Sequence, residues 1–566
     1  MALEYSPIQS LEAVEPVLLF GGLYYAWMAV LVSLLLLEGP GGASVWRGLA
    51  LVVVFALIYW GFWDIPLAAN KYADSVLNAA TTEYIRSAGE IPFGHPNIIY
   101  TDFPGLHTLT AALASVTGLA TPDAVTVMTV LMDLLLAGIF YLICLRLLND
   151  PRWAGIAALL AIQGSIVLTR LPFYPGKLGL VFASIFLLLI LERREAILER
   201  PSSALLAIAL LAATTVTHFV TSVLLLCLLV GMLLVPRARG ELKERFPSSR
   251  LAVYLVIPLA WLIYATVQTF EGLTHMGTEV LDNLGHETFL REVFIVGGSN
   301  FGPQVPLWAV IVKLFWLALL LGAGTMAALS RLRRPRSLPP IEARALGALL
   351  GILLLSVTAT LVSTAGSQFL RYSMYAPLVV SPLLLLTLGR FTPGLRTAGL
   401  GAVVVSLVAL AVPTFLASYS TVRTDAFYPY EEAAAQMLGR ESDGTGVRLT
   451  APAGDQAQYV GYLPQALFAS TLEKFDLKDE NGVWAYLDEQ VNDFASGRGE
   501  RVDIYVLSAR PLVYFRHNFG IPLDDPHWDS IRSRLQGQAV VYDNGFVTLY
   551  EAIPPLPPVA AKASRR

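Results

Sequence analysis

The succession of apolar runs constrains the fold more than any other feature of this sequence. A hydrocarbon core about 30 Å thick takes about 20 residues of helix to cross. Runs near that length lie at 15–37, 46–63, 123–146, 153–170, 178–192, 203–217, 219–235, 251–270, 305–329, 344–364, 371–389 and 397–417. They predict a polytopic α-helical membrane protein with about 12 crossings, within a range of roughly 11 to 13. Composition agrees: 55% hydrophobic against 14% charged residues is too apolar for a water-soluble chain of this length. Two of the runs are short and meet at "TTVTHFVTS", which predicts a helix pair whose turn lies below the membrane surface.

Charge carries information about topology. The net charge of -4 is small, and the basic residues sit in short clusters between apolar runs, so nothing points to nucleic acid. Threading alternately from an outer N-terminus puts Arg47, "LRLLNDPR", "RREAILER", "PRARGELKERFPSSR", "RLRRPRSLPP" and "RFTPGLR" on one side. By the positive-inside rule that side is cytoplasmic. The outer segments are then 64–107, 170–177, 271–306, 364–371 and the chain after 417. The N-terminus "MALEYSPIQSLEAVEP" lacks the basic region of a cleaved signal, so the first run is expected to stay as a span of the plasma membrane. Cys144 and Cys227 both lie inside apolar runs, which leaves no disulfide framework or CxxC site.

Three regions follow. Residues 1–417 form the transmembrane part, with a long first outer loop at 64–122. Residues 418–555 read as an extracytoplasmic α/β domain: "GVRLTAP" and "VDIYVLS" are strand-like, and "NGVWAYLDEQVNDFASG" and "DPHWDSIRSRL" helix-like. "AVVYDNGFVTLYEA" is a hairpin around Asn544-Gly545. The proline-rich, basic end at 556–566 is expected to be disordered.

The first outer loop concentrates the chemistry. "DSVLNAATTEYIRSAG" is a helix with Asp74 at its N-terminal end, where a carboxylate suits the helix dipole, and with Gly89 as its stop. Asp74 reads either as a helix cap or as a functional acid. "YTDFPGLH" follows with Asp102 and His107 and leads into a short apolar helix. Elsewhere, His218 sits with four threonines and a serine at the apex of the short helix pair. It lines a site, or it packs the helices through Thr214 or Thr215. Arg170 and Lys177 flank "LPFYPG" at an outer turn, as phosphate ligands or as snorkelling helix ends. The loop carrying His275, Glu279, Asp282, His286 and Glu287 has the spacing of a solvated amphipathic helix, so no metal and no other cofactor is predicted.

The pattern Asp74, Tyr84, Ile85, Gly89, Ile91-Pro92, Tyr100 and "FPGLH" resembles the GT-C superfamily of polytopic glycosyltransferases. These use sugars carried on polyprenyl phosphate and include the protein O-mannosyltransferases and aminoarabinose transferases. The resemblance extends to the plan of many spans, outer loops and an outer α/β domain. Two departures stand out: Ser75 replaces the glutamate that often follows the acid, and an additional span precedes the loop. The resemblance implies an inverting single displacement on the outer face, with Asp74 as general base and Asp102 as reserve base or orienter. Arg371 and Tyr372, at the outer start of a span, match the family's arginine-aromatic pair and are expected on the donor phosphate, with Arg170 and Lys177 as second choices. Tyr100, His107 and His218 line the site. The partners implied are a polyprenyl-phosphate sugar, membrane lipid, and a lipid, protein or polysaccharide acceptor. The tail lacks a WWDYG-type signature, which disfavours transfer of whole glycans to asparagine. A transporter or flippase would show two comparable halves with broken midplane helices, and none are found. A non-catalytic scaffold leaves the acid-bearing loop unexplained.

Overall fold

The computed structural model describes residues 26–36, 44–61, 73–91, 102–165, 173–191, 201–235, 238, 254, 256–261, 263, 307–332, 338–362, 374–418, 433–434, 437–438, 447–450, 467–468, 480–495, 502–508, 526–536, 538–543 and 547–551.

The helices fall on the apolar runs, and proline sets where several begin. Pro151, Pro175, Pro377 and Pro393 each open a helix, where the missing N–H costs nothing and the fixed φ already suits the first turn. Asp150 adds a cap, its carboxylate accepting the Arg152 N–H at 3.0 Å. The same residue type interrupts the last run. The expected 397–417 span is divided into Pro393–Ala409 and Ala411–Ser418, because the ring of Pro413 collides with the carbonyl four residues back. The short pair is present as Pro201–Thr217 and Phe219–Leu234, with His218 between them. The run at 251–270 lies mostly outside the described residues.

Among the described residues, Thr121–Leu148 and Leu314–Leu332 are long and apolar enough to cross a membrane, and shorter apolar helices of 10–17 residues accompany them. Thr121–Leu148 is apolar all round. Met128, Met132, Leu136 and Phe140 are buried against protein, while Val127, Leu131, Leu135 and Leu142 form an outward stripe. Protein on one side and an uncovered apolar stripe on the other is the surface of a helix facing hydrocarbon.

At the centre is Pro151–Gly164, buried from Ala154 to Gly164. Val45–Tyr59, Thr121–Leu148 and Pro377–Leu388 pack around it, and Pro175–Ile190 joins against Thr121–Leu148. A second seam runs between Phe219–Leu234 and Pro340–Val362. A Cβ at Gly231, Gly347 or Gly351 would run into the opposing backbone, so these glycines let two helices touch main chain to main chain.

Arg331, Glu342 and Arg390 close one end of the bundle. Glu342 Oε2 accepts from Arg331 Nε at 3.0 Å and from Arg390 Nη2 at 2.6 Å. Arg331 Nη1 also donates to the Thr387 hydroxyl at 2.8 Å. Arg331 is fully buried, whereas Arg390 keeps 41% of its side chain exposed. The cluster ties the end of Leu307–Leu332 to the start of Pro340–Val362 and the end of Pro377–Leu388.

In the C-terminal region, β1 (Val447–Thr450), β2 (Leu467–Phe468), β3 (Val502–Ser508), β4 (Ala539–Asp543) and β5 (Val547–Glu551) form a mixed sheet in the order β2-β1-β3-β5-β4. β2, β1 and β3 are parallel, and β3, β5 and β4 antiparallel. The hairpin read from Asn544-Gly545 is there, Asp543 pairing with Thr548. The two-residue β2 carries too little pattern to be seen in sequence. Glu480–Ala495 and Pro526–Leu535 pack together through Trp484, which stacks on His527 at 4.6 Å and meets Trp528 edge-on at 4.9 Å.

Candidate active site

The helix that opens the first outer loop runs Ala73–Ala88, with Asp74 on its first turn. Its stop is as expected: Gly89 takes φ 72°, and its N–H reaches the Ile85 carbonyl at 3.0 Å. Ser75, Asn78, Thr81 and Thr82 make a buried polar face. Thr81 and Thr82 turn their hydroxyls back onto Leu77 and Asn78 carbonyls, whereas Asn78 reaches outward. Glu83 anchors the far end, accepting from Arg86 and from the hydroxyl of Thr121, where the next long helix starts. Burial alone would raise its pKa, but the bonds from Arg86 and Thr121 outweigh that and hold the carboxyl below its ordinary value.

Asp102 and His107 arrive from the second half of the loop. Asp102 is 5% exposed, and its carbonyl accepts the Trp261 indole N–H at 3.1 Å. Helix Gly105–Thr117 begins two residues after Phe103 and buries His107 completely. A Cβ at Gly105 would meet Thr217, so the "FPG" turn lies directly against the end of Pro201–Thr217. His107 Nε2 is 2.9 Å from Asn78 Oδ1, and Asn78 Nδ2 donates to the Phe173 carbonyl at 3.0 Å. The second bond fixes the amide orientation, so Nε2 of His107 must carry the proton and Nδ1 is a bare lone pair. Nδ1 finds no partner among the described residues. Burial pushes this imidazole down to about 3, because desolvation penalises its charged form.

His218 bridges two further segments. Its Nδ1 accepts the Thr221 N–H at 3.3 Å, capping Phe219–Leu234, and lies 2.8 Å from the Thr221 hydroxyl. Its Nε2 meets the Tyr174 hydroxyl at 2.9 Å, with the rings edge-on at 5.2 Å. The Thr221 hydroxyl is in turn 3.2 Å from that of Tyr375. The alternative by which His218 packs through the Thr214 or Thr215 hydroxyl does not hold: these bond the carbonyls of Leu210 and Leu211 in their own helix, as threonines in apolar helices commonly do.

Lys177 is fully buried on the first turn of Pro175–Ile190, in an ion pair with Asp133 and 5.6 Å from the centre of the Trp60 ring. Much of its charge is already offset by that carboxylate. The side chain of Asp74, and all of Tyr100, Arg170, Arg371 and Tyr372, lie outside the described residues, as does the 275–287 set. Among the described residues no group of three His, Cys, Asp or Glu comes together to hold a metal.

Sequence reasoning missed Asn78 and Asp133. Asn78 stands one turn after Asp74 and so shares its helix face. Asp133 is a lone acid inside "VMTVLMDLLLAGIF", the kind of intramembrane charge that demands a partner.

No family model and no curated protein matches the sequence. The fold does match solved structures. ArnT from Cupriavidus metallidurans bound to undecaprenyl phosphate aligns at TM-score 0.52 and 14% identity, over 89% of this chain and 99% of ArnT. The archaeal oligosaccharyltransferase AglB from Archaeoglobus fulgidus, in complex with an inhibitory peptide and a dolichol-phosphate, aligns at TM-score 0.51 and 11% identity, over 91% of this chain and 75% of AglB. An Archaeoglobus fulgidus oligosaccharyltransferase tethered with an acceptor peptide containing the NVT sequon aligns at TM-score 0.52 and 12% identity, over 90% of this chain and 74% of that one. The chain shares its fold with these membrane enzymes. Within this fold, three stretches come together: the acid-bearing helix, the "FPGLH" turn and the turn at Phe173–Lys177. Their sequence separations alone would not pair them.

Proposed function

We propose that this protein is a membrane glycosyltransferase that moves a sugar from a polyprenyl-phosphate-linked donor to an acceptor on the extracytoplasmic face. One observation carries the reading. The fold is shared over about nine-tenths of the chain with two enzymes solved with different partners, and each was solved with an isoprenoid phosphate, undecaprenyl in one and dolichol in the other. A lipid phosphate is the common factor of the likeness.

The chemistry asked of such a site is small, because phosphate is already a leaving group. Asp74 takes the proton of the acceptor as its heteroatom attacks the anomeric carbon. The bond from that carbon to the phosphate oxygen breaks, configuration inverts, and polyprenyl phosphate departs with the electron pair. Arg371, with Tyr372 beside it, holds the phosphate through charge-assisted hydrogen bonds, with Arg170 in support. Lys177, paired to Asp133, adds less net charge. Asp102 is the reserve base, and Tyr100, His107 and His218 complete the walls. The Lys/Arg-rich loops lie in the cytoplasm, so the first loop and the C-terminal α/β domain face outward from about 12 spans.

Asp74→Asn tests this reading. Asparagine has the shape of aspartate and gives up only a first-turn charge–dipole contribution of about 0.3–1 kcal/mol, so folding should survive. A general base contributes about 10²–10⁴-fold, and turnover with a polyprenyl-phosphate sugar should fall by that factor while donor binding holds. An active Asp74→Asn beside a dead Asp102→Asn would hand the base to "YTDFPG". Full activity in both would end the proposed mechanism.

A further inference from the structure

Phe173 and Tyr174 are neighbours in sequence, and the two hydrogen-bond chains of the site meet on them. Through its main chain, Phe173 receives Asn78, which receives His107. Through its phenol, Tyr174 meets His218, which is bonded to Thr221, which is bonded to Tyr375. All seven residues are buried. The direction of each proton can be followed. His218 Nδ1 is committed as acceptor to the Thr221 N–H, so its proton is on Nε2 and points at Tyr174. His107 is likewise protonated on Nε2. The path from the first-loop helix to Tyr375 is therefore built from neutral groups throughout. It is also stiff: a Cβ at Gly179 would lie 3.2 Å from His218 Cβ and 3.1 Å from the Thr221 hydroxyl, so the Tyr174 helix rests directly on the His218 turn.

Both ends of this path adjoin the charges assigned to transfer. Asp74 is one helical turn before Asn78, and Arg371 is four residues before Tyr375. A hydrogen-bonded path of uncharged groups fixes a distance without adding a charge that would compete for phosphate. We propose that the Phe173–Tyr174 pair is a positioning hub that couples the Asp74 helix to the segment following Arg371, making Tyr174 and Asn78 positioning residues that set transfer geometry without touching the sugar. The consequence for catalysis rests on the Asp74 and Arg371 reading; the coupling itself does not.

The test uses the full chain in nanodiscs. Tyr174→Phe keeps the ring against His218 and removes one hydroxyl. His218→Asn keeps a good cap for Phe219–Leu234 and loses the reach to Tyr174. Thr129→Val is the control, since its buried hydroxyl bonds the Val125 carbonyl of its own helix. Hydrogen exchange over 73–88 should rise several-fold in Tyr174→Phe and in His218→Asn, and should stay at the wild-type level in Thr129→Val. A change confined to 173–221, or an equal rise in the control, overturns the coupling whatever the enzyme's substrate. With a polyprenyl-phosphate sugar, Tyr174→Phe should lower kcat about tenfold or more with KM within about twofold. The double variant with Asn78→Leu should be no slower than the slower single, because both cut one path. Unchanged kcat per folded molecule, or effects that multiply, would reduce the hub to a structural bond. A wild type inert toward every such donor would instead overturn the proposed function and leave exchange to decide the coupling.

Discussion

The two ends of helix Pro377–Leu388 are held by opposite means. Before its start, Tyr375 enters a path of hydroxyl, imidazole and amide groups, none of them charged. Beyond its last turn, Arg390 and Arg331 share the carboxylate of Glu342. The helix is only about 18 Å long by its rise per residue, yet one end is neutral and the other ionic. Charges paired with each other have less to offer a ligand, and removing one member strands the rest in a low dielectric. Neutral groups hold the chain more weakly and leave nearby cations and acids free to act on substrate. The ionic end is suited to permanence, and the neutral end to chemistry beside it.

The largest expected effect is at the ionic end. Glu342→Leu leaves the fully buried Arg331 facing Arg390 without the carboxylate between them, which should cost about 3–5 kcal/mol of stability. Thermal unfolding of the purified protein measures it. Adding Arg331→Met to the same chain should recover much of the loss. A cost below about 1 kcal/mol would show that the cluster behaves as an exposed pair.

At the other end the expected loss is in ligand affinity. Arg371→Ala should weaken equilibrium binding of polyprenyl phosphate by about 1.5–3 kcal/mol, the worth of one charge-assisted bond, with the unfolding midpoint nearly unchanged. Undiminished affinity would pass the role to Arg170 or Lys177.

The neutral end also has a pH signature. His107 titrates near 3 in the folded chain against an ordinary 6.5, so between those values the unfolded chain binds the extra proton. Its contribution to stability is whole above about pH 6.5 and drains away as pH falls toward 3, at up to about 1.4 kcal/mol per pH unit. Unfolding midpoints from pH 6.5 to 4.5 should slope less in His107→Gln than in wild type. Parallel slopes would mean that the imidazole is hydrated in the folded state.

The smallest effect belongs to Arg390→Gln. This guanidinium keeps 41% of its side chain exposed, so its removal should cost no more than about 1 kcal/mol, falling further at high salt. A larger loss would make Arg390 as integral to the ionic end as Arg331.

Whatever depends on neighbours within a few residues was legible in the chain itself. Apolar runs marked the helices, "TTVTHFVTS" marked the turn at His218, and Gly89 marked the end of the first-loop helix. These are properties of local φ/ψ and local polarity, so a short window contains their causes. The resemblance of "D…Y…G.IP" and "FPGLH" to GT-C enzymes was equally a matter of local spacing. Only the tertiary structure decided who meets whom. Asn78 meets Phe173 across 95 residues, Tyr174 meets His218 across 44, and Thr221 meets Tyr375 across 154. Asp133 gave no sign of Lys177, nor did Glu342 give any of Arg390. A buried polar atom must find a partner, and the sequence states that need wherever such a residue falls in an apolar run. Which partner satisfies it depends on how helices pack against one another, through close approaches such as that of Gly231 to Gly347 and Gly351. That choice is made by shape over the whole bundle, and no local stretch of sequence contains it.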